Sequence, residues 1–346
     1  MAYRTFEADD IIDGNIIRGV TSTAFSNNSG SLTTFFTSST ATSSDAGKYM
    51  IDCYNLAPTN TTAEVQFGIA YGHAKGSGSA LQTGATTGFA PTKAVYSQFR
   101  QLLLDDTTDS TRFVMGDNVS NERMMFITMN RARYKQGVNS GNWELHLSSS
   151  ALAGPGGTNA FANGTGGKES PLKLIDDSSI SNGTTVNGHL VYNIVSGSET
   201  SGPYLSGDDY HYWGLFYPEL GIFALSGDRI LSGSGAIGSS TYGLFLGTGS
   251  YGIGTGSNVN NNVNESLFYA INTGNYFAIR AEEDVTSTHY FVRAKNREFN
   301  YSTNPTYQTG SNGQLKHTSF VQNPQTYITT VGLYNNNNEL MATAKL

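Results

Sequence analysis

Charge is scarce in this chain: Asp, Glu, Lys and Arg together make up 14% of its 346 residues. The formal net charge is −7, so the basic excess that nucleic-acid binding draws on is missing and no nucleic-acid partner is expected. One cysteine, Cys53, excludes an internal disulfide. It sits in the alternating run Tyr49, Ile51, Cys53 and reads as a small buried hydrophobe. No run approaches the roughly 20 apolar residues that span a bilayer, which argues against membrane insertion by a helix. The opening residues, MAYRTFEADDIIDGN, lack a basic region followed by an apolar one, so synthesis and folding in a cytoplasm are expected.

What the chain has instead is glycine, 40 residues of it, together with abundant Ser, Thr and Asn and 12% aromatics. That is too aromatic for a disordered polymer, and it favours strands and turns. The expected fold is mainly β, a β-rich α+β arrangement of antiparallel sheets and hairpins with one or two packed helices and long Gly/Ser/Asn-rich loops. Val65, Phe67, Ile69 and Tyr71 share one strand face, and Gln66, Gly68, Ala70 and Gly72 the other. Trp143, Leu145 and Leu147 repeat the alternation. Between them, Pro91 to Leu104 predicts a helix with Val95, Phe99 and Leu102 at i, i+4 and i+7.

Composition shifts suggest three sub-domains, 1–150, 151–257 and 258–346. The middle one carries the loop-like runs Ala151 to Gly167 and Ser232 to Ser257 around paired strands in TTVNGHLVYNIVSG and HYWGLFYPELGIFALSG, the second turning at Pro218 to Gly221. In the third, Asn264 is placed to cap a helix over Glu265 to Ile271, and two hairpins follow. The last twenty residues, YITTVGLYNNNNELMATAKL, read as a hairpin: Tyr327, Thr329, Val331 and Leu333 alternate on the way out, Leu340, Ala342, Ala344 and Leu346 on the way back, and Asn335 to Asn338 turn the chain.

The wording of that hairpin resembles the C-terminal end of virion structural proteins from contractile-tailed bacteriophages of aquatic and cyanobacterial hosts. Other blocks are similar to the same group: SGSLTTFFTSST (Ser29 to Thr40), VQFGIAYGHAKGSGS (Val65 to Ser79), TKAVYSQFRQLLL (Thr92 to Leu104), TMNRARYK (Thr128 to Lys135), GNWELHLS (Gly141 to Ser148) and STHYFVRAKNREFNYSTNPTY (Ser287 to Tyr307). In that group the chain continues beyond the position of Leu346. The resemblance implies a structural subunit of the tail, of the baseplate or an adjoining region, assembled in the host cytoplasm from contacts with other tail proteins and with copies of itself. None of the blocks is a catalytic motif, and neither an enzyme nor a cofactor is expected.

Two constellations stand out as candidate sites. Arg131, Arg133 and Lys135, and again Arg293, Lys295 and Arg297, alternate as cations on one strand face, suited either to solvent and intramolecular partners or to carboxylates of a neighbouring subunit. Tyr204, Tyr210, Tyr212, Trp213, Phe216 and Tyr217 crowd one segment, which suits either core packing or a glycan-binding platform, the latter pointing to a receptor-binding tail component.

Carboxylates gather at Asp105, Asp106 and Asp109, at Asp176 and Asp177, at Asp208, Asp209 and Glu219, and at Glu282 to Asp284. A polysaccharide-degrading tail enzyme would need two of them across a sugar, but paired Asp in such settings is what turns contain. His73, His146, His189, His211, His289 and His317 are too scattered for a metal site. The oxygen-rich loops lack the calcium-loop pattern. GTGSYG at Gly247 to Gly252 matches a dinucleotide fingerprint in letters without the βαβ frame, and GGKES at Gly166 to Ser170 fails as a phosphate loop.

Overall fold

The computed structural model describes residues 5–7, 10–26, 29–37, 50–75, 92–147, 161–162, 168–169, 171–204, 212–230, 263–293, 301, 304–323 and 327–346. The fold is mainly β. Two units emerge: a large one of residues 17–285, and a small one that joins residues 1–16 to residues 286–346.

The chain begins with β1 (Ile11–Thr23), β2 (Ser31–Leu32), β3 (Phe36–Thr37), β4 (Met50–Tyr54) and β5 (Val65–His73). Helix α1 (Thr92–Leu104) follows, then the short pair β6 (Phe113–Val114) and β7 (Ser120–Asn121), and the long strands β8 (Arg123–Met129) and β9 (Gly137–Leu147). After the small pair β10 (Phe161–Ala162) and β11 (Lys168–Glu169) come β12 (Leu172–Asp176), β13 (Thr184–Val186), β14 (His189–Ser198) and β15 (Gly202–Pro203). A hairpin of β16 (Tyr212–Tyr217) and β17 (Ile222–Ser226) leads into the one-turn α2 (Gly227–Ile230). The large unit closes with α3 (Val263–Gly274) and β18 (Phe277–Tyr290), which runs on into the small unit.

Fourteen strands form one sheet in the order β1, β18, β9, β12, β14, β16, β17, β8, β5, β4, β3, with β2, β13 and β15 paired alongside. The sheet crosses both boundaries expected at 150 and 258. Leu145 of β9 faces Leu174 of β12 on one side and Phe277 of β18 on the other, and β8 pairs with β17. Residues 17–285 are therefore a single structural unit where composition suggested parts of three: local composition reports loop content, whereas strand pairing is set by partners distant in sequence.

The sheet curls so that one face encloses a core. Ile51 and Cys53, Phe67 and Ile69, Met125 and Ile127, Trp143 and Leu145, Leu174, Phe216 and Phe223, and Phe277 and Ile279 all belong to it, with Leu267 and Ile271 of α3. The burial of Cys53 pushes its thiol up, and the neighbouring Asp52 charge adds to this. Trp143 stands edge-on to Phe223 at 4.7 Å and tilts against Phe216 at 5.3 Å. Such aromatic pairs add roughly 0.5–1.5 kcal/mol each beyond area burial.

On the outer face, α1 packs over β5 and β8. The helix comes this close because β5 offers Gly68, Ala70 and Gly72 there: a Cβ on Gly72 would stand 2.8 Å from the backbone of Tyr96. Phe99 stacks on Phe126 at 3.9 Å, and the Tyr96 hydroxyl donates to the Asn121 carbonyl at 2.7 Å. The helix lies where periodicity placed it, but its buried residues are Thr92, Val95, Tyr96, Arg100 and Leu103, while Leu102 is exposed. The stripe is thus rotated from the expected Val95, Phe99, Leu102 line, since Tyr96 and Leu103 bury more apolar area against the sheet. Helix α3 also starts earlier than expected, at Val263, so Asn264 lies within its first turn and is buried, not flanking the helix as a cap.

The hairpins read from sequence are present. β13 turns into β14 through Asn187 and Gly188, both at positive φ, the pairing of residues that suits a tight hairpin turn. β16 turns into β17 at Pro218 to Gly221. There Gly221 has φ of 61°, and a Cβ would reach within 2.6 Å of the Tyr134 ring. The Tyr134 hydroxyl donates to the Leu220 carbonyl at 2.6 Å and pins the turn.

The small unit carries β19 (Gln308–Thr309) and β20 (Gln314–Leu315), the one-turn α4 (Ser319–Gln322), and the C-terminal hairpin of β21 (Thr330–Tyr334) and β22 (Leu340–Lys345). The hairpin pairs Val331 with Ala344 and Leu333 with Ala342, then shifts register before Tyr334 meets Leu340. Its strands form as the alternation predicts. Burial of an apolar face does not follow: every residue of β22 is exposed.

Candidate interaction surface

The cations of the first stripe do not lie on a strand. After β8 the chain enters a short 3-10 turn, Arg131–Arg133, because the Asn130 side chain accepts from the Ala132 amide at 3.1 Å and starts the turn. Arg131 then stacks over the Tyr134 ring with its guanidinium carbon 4.6 Å from the centroid, an arrangement worth roughly 0.5–1 kcal/mol when exposed. Arg133 reaches back to Glu64 at 3.0 Å and to the Ser26 hydroxyl at 2.8 Å. Ser26 is held in turn by the buried Gln66, whose side chain both accepts from its amide and donates to its hydroxyl. Lys135 pairs with Glu283. Two of these three cations thus have carboxylate partners within the chain.

The second stripe differs as well. β18 ends at Tyr290, and Arg293 lies beyond it in irregular, exposed backbone. Lys295 and Arg297 fall outside the described residues.

The aromatic segment is committed largely to packing. Trp213, Phe216 and Tyr217 are buried, Tyr212 and Tyr204 are half-buried, and Tyr210 lies outside the described residues. Burial of the Tyr217 hydroxyl pushes its ionisation well above the ordinary range. A platform for sugar stacking needs exposed ring faces, which Trp213 and Tyr217 do not offer.

Carboxylates serve the fold where they are described. Asp176 accepts from the Gly141 and Ser178 amides, and Asp177 takes both the backbone and side-chain amides of Asn193. Asp106 accepts from Thr108 and Thr111, which holds its carboxyl at about 2. Glu219 meets His189 at 2.9 Å, and Asp208 and Asp209 fall outside the described residues.

A cluster not singled out from sequence sits on the outer face of β9. Glu144 meets the His146 ring at 2.5 Å with one oxygen and accepts from the Glu199 amide at 2.8 Å with the other. His146 packs against the Tyr276 ring at 4.7 Å. Burial raises the Glu144 carboxyl, but the His146 and Glu199 hydrogen bonds and the His146 and Lys173 charges outweigh it and leave it lowered. Burial and the Glu144 charge raise the Glu199 carboxyl. Two carboxyls pushed apart are the mark of acid and base partners. Here, though, both oxygens of Glu144 are taken up by the fold itself, so the group anchors the turn after β14 to β9. The signal was available: Glu144 and His146 are two residues apart on one strand face. Among the described residues no group of three or more His, Cys, Asp and Glu could hold a metal ion, and no helix is long and apolar enough to cross a membrane.

The small unit presents a different surface. None of its residues whose burial is described is buried. Of the 18 exposed large apolar residues described in the chain, 12 belong to it, although it contributes only residues 1–16 and 286–346. Tyr327 is 85% exposed, Leu346 75% and Met341 69%. Beside its hairpin pairings it contains ring contacts, exposed Phe6 with Tyr290 at 5.5 Å and half-buried Tyr307 with Phe320 at 5.9 Å. No family model, curated protein or solved structure matches the chain.

Proposed function

We propose that this protein is a non-enzymatic structural subunit of a contractile bacteriophage tail, in the baseplate or an adjoining region, that acts by assembling with other tail proteins and with copies of itself. The resemblance of the blocks from Ser29 to Leu346 supplies the context. The observation that carries the assembly reading is the small unit: a polypeptide that exposes 12 large apolar side chains while burying none among its described residues is suited to completion by a partner. The curled sheet of the large unit carries cores on both faces. No observation favours the glycan platform, since its central rings are packed inside.

Gold-labelled antibody imaging of intact particles and isolated tails tests this. Label at the tail end is the expected result. Particles that carry no label would overturn the proposal, and label along outer fibres would move the protein to receptor binding.

A further inference from the structure

The chain contains four Asn-Gly pairs, which begin at Asn163, Asn182, Asn187 and Asn312. Asparagine before glycine is prone to spontaneous deamidation, because the glycine amide can attack the side-chain carboxamide with no Cβ in its path. Asn163 lies outside the described residues, and Asn312 belongs to the small unit. The other two share one hairpin, and there the structure separates them. Gly183 is held: its amide donates to the Ser181 hydroxyl at 3.1 Å, and a Cβ on it would stand 2.9 Å from the Val191 carbonyl. Asn187 and Gly188 form the exposed turn between β13 and β14. Among the described residues nothing lies within 4 Å of the place that a Gly188 Cβ would take.

Asn187 also reaches a neighbouring element. Its Nδ2 donates to the Leu102 carbonyl in a long bond of 3.4 Å. Leu102 lies in the last turn of α1, where the helix carbonyls have no partner within the helix and present its negative end. That turn contains no basic residue. A neutral amide from the hairpin therefore meets the helix where positive charge is favoured and negative charge is not.

We propose that Asn187 is a site of spontaneous deamidation, and that its products detach the β13–β14 turn from the end of α1. This chemistry is independent of the assembly reading. The Gly188 nitrogen bonds to Asn187 Cγ, the Cγ–Nδ2 bond breaks, and the Gly188 amide proton leaves with the side-chain nitrogen as ammonia. Water then adds to one of the two carbonyls of the cyclic imide. Opening on the side-chain side gives aspartate. Opening on the main-chain side gives isoaspartate, which lengthens the backbone of the turn by one carbon. Either product replaces the donor with a carboxylate beside the helix carbonyls, which repel it. Isoaspartate also inserts an atom between Val186 and His189, whose pairing the two-residue turn sets.

The test incubates the purified full-length chain at mildly alkaline pH and follows each site by mass spectrometry, with fragmentation that tells aspartate from isoaspartate. Asn187 is expected to convert on the order of 10-fold faster than Asn182, because Gly183 must first give up its hydrogen bond and its packing. In a sample unfolded in urea the two sites should convert at similar rates. In the aged chain and in Asn187→Asp, hydrogen exchange of the last-turn amides of α1 should rise about 2–5-fold, the effect of an unfavourable charge at a helix end. Asn187→Gly keeps a turn-forming pair and removes the site, so its fresh and aged samples should exchange alike.

An Asn187 that stays intact while the urea sample converts overturns the site, as do equal rates at Asn182 and Asn187 in the folded chain. Exchange at the end of α1 that is unchanged both in the aged chain and in Asn187→Asp overturns the detachment.

Discussion

The ring of Phe277 on β18 lies edge-on to that of Phe67 on β5, with centroids 5.3 Å apart, although six strands separate β18 from β5 in the sheet order. That contact measures the curl: two strands far apart along the sheet share one core. Each ring is fully buried. Replacing either with Ala is expected to cost about 3–5 kcal/mol, and a double-mutant cycle should return a coupling of about 0.5–1.5 kcal/mol. Urea unfolding of the two single variants and the double variant measures both. Strict additivity would mean that the rings do not meet.

Gly72 sets the distance between α1 and β5. With Ala there, the new Cβ would sit 2.8 Å from the Tyr96 backbone, and a helix backbone cannot swing aside as a flexible side chain can. Gly72→Ala should destabilise by about 1–3 kcal/mol, the usual cost of overpacking. Gly188→Ala, which has open space but a positive φ, should lose stability through backbone strain alone. Thermal denaturation of the two variants distinguishes the causes, because only Gly72→Ala is expected to loosen the helix and raise amide exchange in α1.

How far the sequence led is plain at these positions. Alternation along Val65 to Tyr71 placed large residues on one face and small ones on the other, and the structure uses the first for the core and the second as the bed for α1. The hairpin turn at Pro218 to Gly221 was legible because turn chemistry is local, whereas the turn at Asn187 and Gly188, not singled out in the sequence, carries the same kind of local signal. The stripe of α1 was legible only to within a rotation, since Leu102 and Leu103 are equally apolar and only the sheet decides between them. Closure of the sheet, and with it the burial of Trp213 and Tyr217, depends on partners scores of residues away. The 3-10 turn at Arg131 hinged on a single Asn130 side chain, a signal that the alternation of cations concealed.

His73 gives the large unit a pH dependence of predictable sign. Its burial, followed by the Arg123 charge, lowers its basicity, and its Nδ1 accepts from the Lys75 amide at 3.0 Å. The folded protein therefore holds the ring neutral, whereas the unfolded chain protonates it near the ordinary value of about 6.5. Below that value the unfolded state binds more protons, so stability present above about pH 6.5 should be lost as the pH falls through the lowered folded value. His73→Gln should flatten that part of the stability profile. A profile below pH 6.5 identical to that of the native chain would show that the ring does not titrate on unfolding.

The cation runs can be tested as contacts to neighbours. Reversing Arg293, Lys295 and Arg297 to Glu is expected to yield soluble, folded protein that fails to enter tails, measured by the protein content of particles from a complemented infection. Arg133→Ala should instead lower stability, by about 1 kcal/mol, because Arg133 spends its guanidinium on Glu64 and Ser26. Normal incorporation of the triple variant would remove that run from the interface.

The small unit draws on residues 1–16 and on residues 286–346, with the whole large unit threaded between them. During synthesis, at about 5–20 residues per second, the first segment waits roughly a quarter-minute to a minute for the second. The small unit can thus form only after residues 17–285 have been made, on a chain whose sheet has had time to close.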